Sequence, residues 1–226
     1  MTAQARLPLV NGEQLGTPRL SLGALKAHLA AWVETCVDYH QEAHRDRRGP
    51  ALLSFVSDLG SGSIRELADN DLQSYRHHLL RLSRRCRRSR FGNEVNDNFL
   101  RDYVARVDLT NTVVLGYFAE GAMRGAAELR SLRNVWCDEA ETAFSVEEAN
   151  RSQGLGTALM ASALRVALKH GVKQVHLICD RHNRSMQRIA EKVGADMSYE
   201  DSDCMGQISV AKHAETLEHE KLRVAA

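Results

Sequence analysis

The chain has 226 residues, with 30 lysines and arginines against 29 aspartates and glutamates, so its formal net charge is +1. That balance leaves no global field to recruit nucleic acid or an anionic membrane; only a local patch could do so. At 43% hydrophobic and 26% charged residues, the composition excludes wholesale disorder and fits one large domain, or one ordinary domain plus an appendage.

Five cysteines are widely spaced and no CxxC pair occurs, so neither a zinc site nor a redox dithiol is written into the chain. The first 25 residues lack the apolar core of a signal peptide, and no stretch approaches the ~20 apolar residues of a membrane span. The chain reads as cytoplasmic, with no membrane partner and free thiols.

Residues 1–20 carry Pro8, Gly12, Gly16 and Pro18 and read as a loose arm. From Ser21 to residue 47, Leu22, Leu25, Leu29, Trp32, Val33, Cys36, Val37 and His40 recur at three- and four-residue steps, predicting an amphipathic helix. Its apolar stripe needs a partner, either the main domain or a second copy in a homodimer. Gly49-Pro50 stops it, and Gly60-Ser61-Gly62-Ser63 forms a flexible joint. The division is therefore a helical extension over 1–62, a main domain over 63–210 and a tail over 211–226.

Within the main domain, Ile64 to Ala68 is a strand candidate, and Asp69 or Asn70 can cap a helix through Leu72, Tyr75, Leu79, Leu80 and Leu82. A second amphipathic segment surrounds Phe99, Tyr103 and Val107. Thr112 to Phe118 and Met123 to Leu132, joined at Glu120-Gly121, predict a hairpin. Then come a strand over 142–146, a helix over 155–170, a strand over 173–179, a helix over 185–193, and strands over 197–199 and 205–210.

The chemical signal is Ser145-Val146-Glu147-Glu148-Ala149-Asn150-Arg151-Ser152-Gln153-Gly154-Leu155-Gly156-Thr157. It places a glycine pair between a strand and a long helix, where backbone N–H groups and the helix N-terminus favour an anion. A P-loop would need lysine after Gly156, where Thr157 stands, and a dinucleotide fingerprint would need a small residue at Leu159. The remaining pattern, Arg/Gln-x-x-Gly-x-Gly/Ala on Arg151, Gly154 and Gly156, resembles the pyrophosphate loop of the GNAT superfamily of N-acetyltransferases. A second element, Asn183-Arg184-Ser185-Met186-Gln187-Arg188-Ile189 followed by Lys192-Val193-Gly194-Ala195, is similar to the same superfamily's next helix. The likeness covers about residues 63–210.

That resemblance implies an α/β (α+β) fold: a mixed central sheet flanked by helices, splayed at a bulge between its fourth and fifth strands. It implies acetyl-CoA as co-substrate, without a metal. Arg151, Ser152, Gln153, Gly154, Leu155, Gly156 and Thr157 would cradle the pyrophosphate, and Asn183 would stand beside the pantetheine. The backbone around Ser145 and Val146 would hold pantetheine and polarise the thioester.

A lysine amine is only about 0.1% neutral at physiological pH, a handicap of roughly 4 kcal/mol, so acetylation needs a base. Glu141 stands where protein-lysine acetylating members carry theirs, and Glu128 is the runner-up. The tyrosine that many members place seven residues after the asparagine is Ala190 here. The implied reaction is direct attack on acetyl-CoA by a primary amine, on a protein lysine or a small molecule. The alternative is a non-catalytic acyl-CoA-binding module.

Two features remain. His77-His78 diverge on a helix and make a poor chelate. Arg81, Arg84, Arg85, Arg87, Arg88 and Arg90 read first as the solvated C-terminal end of a helix. Second, they read as a docking face for an acidic protein, nucleic acid or the cofactor's 3′-phosphate. Without interleaved aromatics, nucleic acid is not the expected partner.

Overall fold

A computed structural model describes residues 62–213; the expected N-terminal helix lies outside them. The elements are β1 (Ser63–Glu66), α1 (Leu72–Arg81), α2 (Arg84–Phe91), α3 (Asp97–Ala105), β2 (Thr112–Ala119), β3 (Ala122–Ser131) and β4 (Glu139–Val146). They continue with α4 (Leu155–Lys169), β5 (Gln174–Asp180), α5 (Arg184–Lys192), β6 (Asp196–Glu200) and β7 (Asp203–Ser209). The strands form one mixed sheet in the order β1-β2-β3-β4-β5-β7-β6. Every neighbouring pair is antiparallel except β4–β5.

The sheet separates two apolar layers. On one face α4 buries Leu155, Leu159, Met160, Ala163, Leu164, Val166 and Ala167 against Leu115, Ala127, Leu129, Val175, Leu177 and Ile208. On the opposite face α1, α2 and α3 bring Tyr75, Leu79, Cys86, Phe91, Leu100 and Tyr103 onto Val114, Met123 and Ala126. Each fully buried leucine contributes roughly 1.5–3 kcal/mol. The pleat sorts β4 between the layers. Ala140, Phe144 and Val146 face α4, while Glu141, Ala143 and Ser145 lie opposite Arg130, Glu128 and Ala126 on the α1–α3 face.

Three local readings differ from the sequence expectation. Neither Asp69 nor Asn70 caps α1: a short 3₁₀ turn (Asp69–Asp71) precedes it, and Asp71 accepts from the Ala68 N–H and pairs bidentately with Arg65. The arginine run is not the end of one helix. Leu82 is extended, and Ser83 caps a new helix by accepting from the Cys86 N–H. Finally, β3–β4 keeps one regular register from Gly125↔Val146 to Ser131↔Ala140, so no bulge accompanies the opening between β4 and β5.

Candidate active site

β4 and β5 pair only over Glu139↔Gln174, Ala140↔Val175 and Glu141↔His176. Beyond Glu141 the strands diverge, β4 running on to Val146 and β5 to Asp180. The backbone bonds Leu132 N–H to Glu139 O and Glu147 N–H to Arg124 O fix which groups face which neighbour. Alternation along the strand turns the N–H and C=O of Glu141, Ala143 and Ser145 toward β3. Those of Thr142, Phe144 and Val146 face the opened β5 side. The Val146 N–H and the backbone of Phe144 therefore face the cleft, whereas the backbone of Ser145 faces β3.

The loop after β4 turns sharply. Ser152 and Gly154 both take left-handed backbone, at φ 61° and 82°, and α4 begins without a side-chain cap. The N–H groups of Leu155, Gly156 and Thr157 belong to a first helical turn that has no intrahelical acceptors, which is an anion-binding arrangement. Gly154 is required by its φ. Gly156 answers to packing: a Cβ there would lie 2.7 Å from Ile189 Cδ1 on α5. Gln153 donates to Ala149 O. Arg151 is turned back, its Nε donating to Val146 O at 3.2 Å and its Nη2 to Cys86 Sγ at 2.8 Å. Asn183 caps α5 by accepting from the Met186 N–H. Ala190 is fully buried, so α5 presents no acid there.

The two carboxylates differ in kind. Glu128 is 2% exposed and accepts from Tyr75 Oη at 2.8 Å, Tyr103 Oη at 2.8 Å and Arg90 Nη2 at 3.1 Å. Glu141, one register step away on β4, is half-buried. Burial, with the Glu128 charge adding to it and Arg90 and Arg130 opposing, pushes its carboxyl up to about 7. Such a group exchanges a proton near neutral pH, and Glu128 is held by three donors.

A further array was not legible as a site. His78, fully buried on α1, lies with Nε2 2.9 Å from Ser145 Oγ and Nδ1 3.3 Å from Glu147 Oε1. Burial keeps the imidazole below its usual pKa, hence neutral. Burial would raise Glu147, but hydrogen bonds from His78, Arg81 and Arg124 outweigh it and hold that carboxyl at about 2. Consistent with those charges, His78 donates from Nδ1 and accepts the Ser145 hydroxyl proton at Nε2. The array ties α1 to the end of β4, where the glycine loop starts. One clue was available: Tyr75, His78, Leu79 and Leu82 share one apolar stripe.

Among the described residues, no group of three or more His, Cys, Asp or Glu side chains could hold a metal ion. No described helix is long and apolar enough to cross a membrane.

Comparison with known proteins bears on the fold and the family. The Acetyltransferase (GNAT) family matches residues 76–195. No curated protein matches. Among solved structures, the GNAT domain of PAT from S. lividans superposes with a TM-score of 0.57 at 19% identity, over 66% of this chain and 90% of that one. The PaiA N-acetyltransferase of Thermoplasma acidophilum, solved with coenzyme A, gives 0.50 at 18% identity over 66% and 99%. yncA from Salmonella typhimurium, solved with acetyl-CoA, gives 0.50 at 20% identity over 67% and 95%.

Proposed function

The chain belongs to the Acetyltransferase (GNAT) family, and from that premise we propose that it moves the acetyl group of acetyl-CoA onto a primary amine, with Glu141 as the base. The observation that carries this reading is the placement of one proton-exchanging carboxylate where β4 parts from β5, beside a strand edge with free backbone groups.

Acetyl-CoA would supply an acetyl group already activated as a thioester. The residues present suit it. The backbone of Phe144 and the N–H of Val146 offer a strand edge to an extended amide-bearing arm, and the uncapped start of α4 offers N–H groups to a pyrophosphate. Ser152, Gln153 and Gly154 shape that loop, and Asn183 caps the start of α5. Arg151 supports the loop through Val146 O and Cys86 rather than by pointing outward.

An amine arrives protonated and must lose a proton before attack. Glu141, with its carboxyl near 7, is ionised in an appreciable fraction at physiological pH and still basic enough to accept that proton, directly or through one water. Glu128 is better cast as a fixed charge that raises the basicity of Glu141, because three donors occupy its oxygens. A leaving CoA thiol, with a pKa near ~8.5 by analogy to cysteine, departs without strong acid help, so Ala190 in place of a tyrosine does not block transfer.

Glu141→Gln tests the assignment. The acetylation rate of a lysine peptide or polyamine should fall at least a hundredfold, with acetyl-CoA affinity by calorimetry within twofold of the parent. Unchanged turnover would remove Glu141 as the base. Failure of the native protein to bind millimolar acetyl-CoA would remove the reading altogether.

A further inference from the structure

α2 packs on both β4 and β5, so it lies across the mouth of the opening between them. Its inward side carries Cys86, Arg90 and Phe91. Its outward side carries Arg84, Arg85 and Arg88, all exposed. Three other arginines of the run are committed. Arg81 bonds to Glu147 and Met123 O; Arg87 bonds to Leu80 O, Leu82 O and Asp97; Arg90 bonds to Glu128. Among the described residues, Arg84, Arg85 and Arg88 have no carboxylate within ion-pair distance.

Their placement works against the helix. Two of them occupy the first turn, which contains no acidic residue, where the helix dipole is positive and cations are disfavoured. Arg84 and Arg88 are like charges at i,i+4, and Arg85 and Arg88 at i,i+3, and each pair destabilises the helix. An eight-residue helix has little propensity in reserve for such costs. Solvation of a helix end, which would favour cations at the C-terminus, does not account for them.

Two of these side chains reach toward opposite lips of the mouth. Glu148, just past the end of β4, has its carboxyl lowered first by the Ser83 hydrogen bond, with Arg85 adding at longer range. Asp180, the last residue of β5, is lowered first by the His182 N–H, with Arg88 adding at longer range. One arginine thus stands toward each lip.

We propose that the acceptor amine is a lysine flanked by aspartate or glutamate side chains in a protein, and that Arg84, Arg85 and Arg88 receive those carboxylates at the mouth of the cleft. This deepens the acetyl-transfer reading and rests on it for the identity of the amine. Guanidinium groups on one rigid face favour planar bidentate acceptors, which carboxylates are. The acids at the two lips are already committed, Glu147 to Arg81 and Glu148 to Ser83 beyond β4 and Asp180 to His182 at the end of β5, which leaves the outward face of α2 cationic.

The test uses the full chain with CoA present and three fluorescein-labelled peptides of equal length, each with one central lysine flanked by Glu, Ser or Arg. Anisotropy should show the Glu-flanked peptide binding at least tenfold tighter than the Ser-flanked one in low salt, with a marked loss at 150 mM. R84Q/R85Q/R88Q should weaken the Glu-flanked peptide at least tenfold and raise its KM, leaving acetyl-CoA affinity within twofold. The milder R88Q should weaken it about threefold, and R133Q, a distant exposed control, should change nothing. Equal binding of Glu- and Ser-flanked peptides, or an unaltered triple variant with native circular dichroism, would overturn the proposal. So would tighter binding of a single-stranded 15-mer oligonucleotide, which would reassign the face to nucleic acid. Peptide binding needs no turnover. Intact selectivity without acetylation of any amine would therefore sink the acetyl-transfer reading alone.

Discussion

Arg90 Nη2 stands 3.1 Å from Glu128 Oε2, with both side chains almost wholly shut off from water. The tyrosines Tyr75 and Tyr103 donate to the same carboxylate. Burying an ion pair this deeply returns little net stability, yet breaking one by removing a partner is severe. The arrangement fixes a negative charge near Glu141 at a defined place in the sheet. Glu128→Ala should therefore destabilise the protein by about 3–5 kcal/mol in denaturant melts, through the stranded Arg90 guanidinium. A loss below 1 kcal/mol would show the pair to be dispensable.

The pH dependence of turnover follows from Glu141. The carboxylate form is the active base, so kcat/KM should climb as pH rises and level off above an apparent pKa of about 7. Glu128→Gln removes the neighbouring charge that adds to the burial effect, so the limb should move to lower pH. A limb unmoved by that change, or still present in Glu141→Gln, would mean that another group titrates.

Stability should depend on the same carboxyl with the opposite benefit. Its folded pKa lies above the unfolded value of about 4.5, so the folded state holds the extra proton between the two. The stability is fully present below about pH 4.5 and is lost as pH rises through about 7. Glu141→Gln, which keeps the shape without the charge, should raise the Tm at pH 8 and leave it nearly unchanged at pH 4. Lower Tm at both values would contradict the burial account, and a gain in stability with a loss of rate would mark a site held at the expense of the fold.

Gly156 and Ile189 should be energetically coupled. Gly156→Ala places a methyl 2.7 Å from Ile189 Cδ1 and is expected to cost about 1 kcal/mol despite the better helix propensity of alanine. Ile189→Val deletes that methyl, so the double variant should recover most of the loss, with a coupling of about 1 kcal/mol. Gly154→Ala has no neighbour within 4 Å; its cost comes from φ 82° and should not respond to Ile189. Additive behaviour of the 156/189 pair would refute the packing explanation.

Ser145→Ala should leave acetyl-CoA affinity within twofold, because the Ser145 backbone faces β3. It should still cost about 1–3 kcal/mol by leaving buried His78 Nε2 without its donor. A tenfold loss of affinity with unchanged stability would restore Ser145 to the cofactor edge.

Much of this architecture was legible. The alternation in Thr112–Ala119 and Ala122–Ser131, the glycine pair opening α4, and Asn183 opening α5 all lie in local sequence, where period and cap chemistry act. What escaped reading depends on contacts between distant segments. Tyr75 and Glu128 are 53 positions apart, and His78 and Ser145 are 67 apart; no local pattern encodes such a meeting. α2 was lost for another reason. Six arginines obscure both the cap at Ser83 and the Cys86–Arg90–Phe91 face that packs inward. The packing constraint on Gly156 escaped as those distant contacts did, because its neighbour Ile189 comes from the next helix.

The short pairing of β4 with β5 has a mechanical consequence. On the α4 face one continuous apolar layer crosses from Leu115 and Ala140 to Val175 and Ile208, whereas the layer under α1–α3 contains no residue of β5, β6 or β7. The sheet is thus two plates joined at a narrow hinge, Glu139–Glu141, strapped by α4 on one side and bridged by α2 on the other. An extended molecule filling the gap would act as a missing strand and stiffen the hinge. The amides of Phe144 and Val146 should then slow sharply in hydrogen exchange, while those of Ala143 and Ser145, already bonded to β3, should change little.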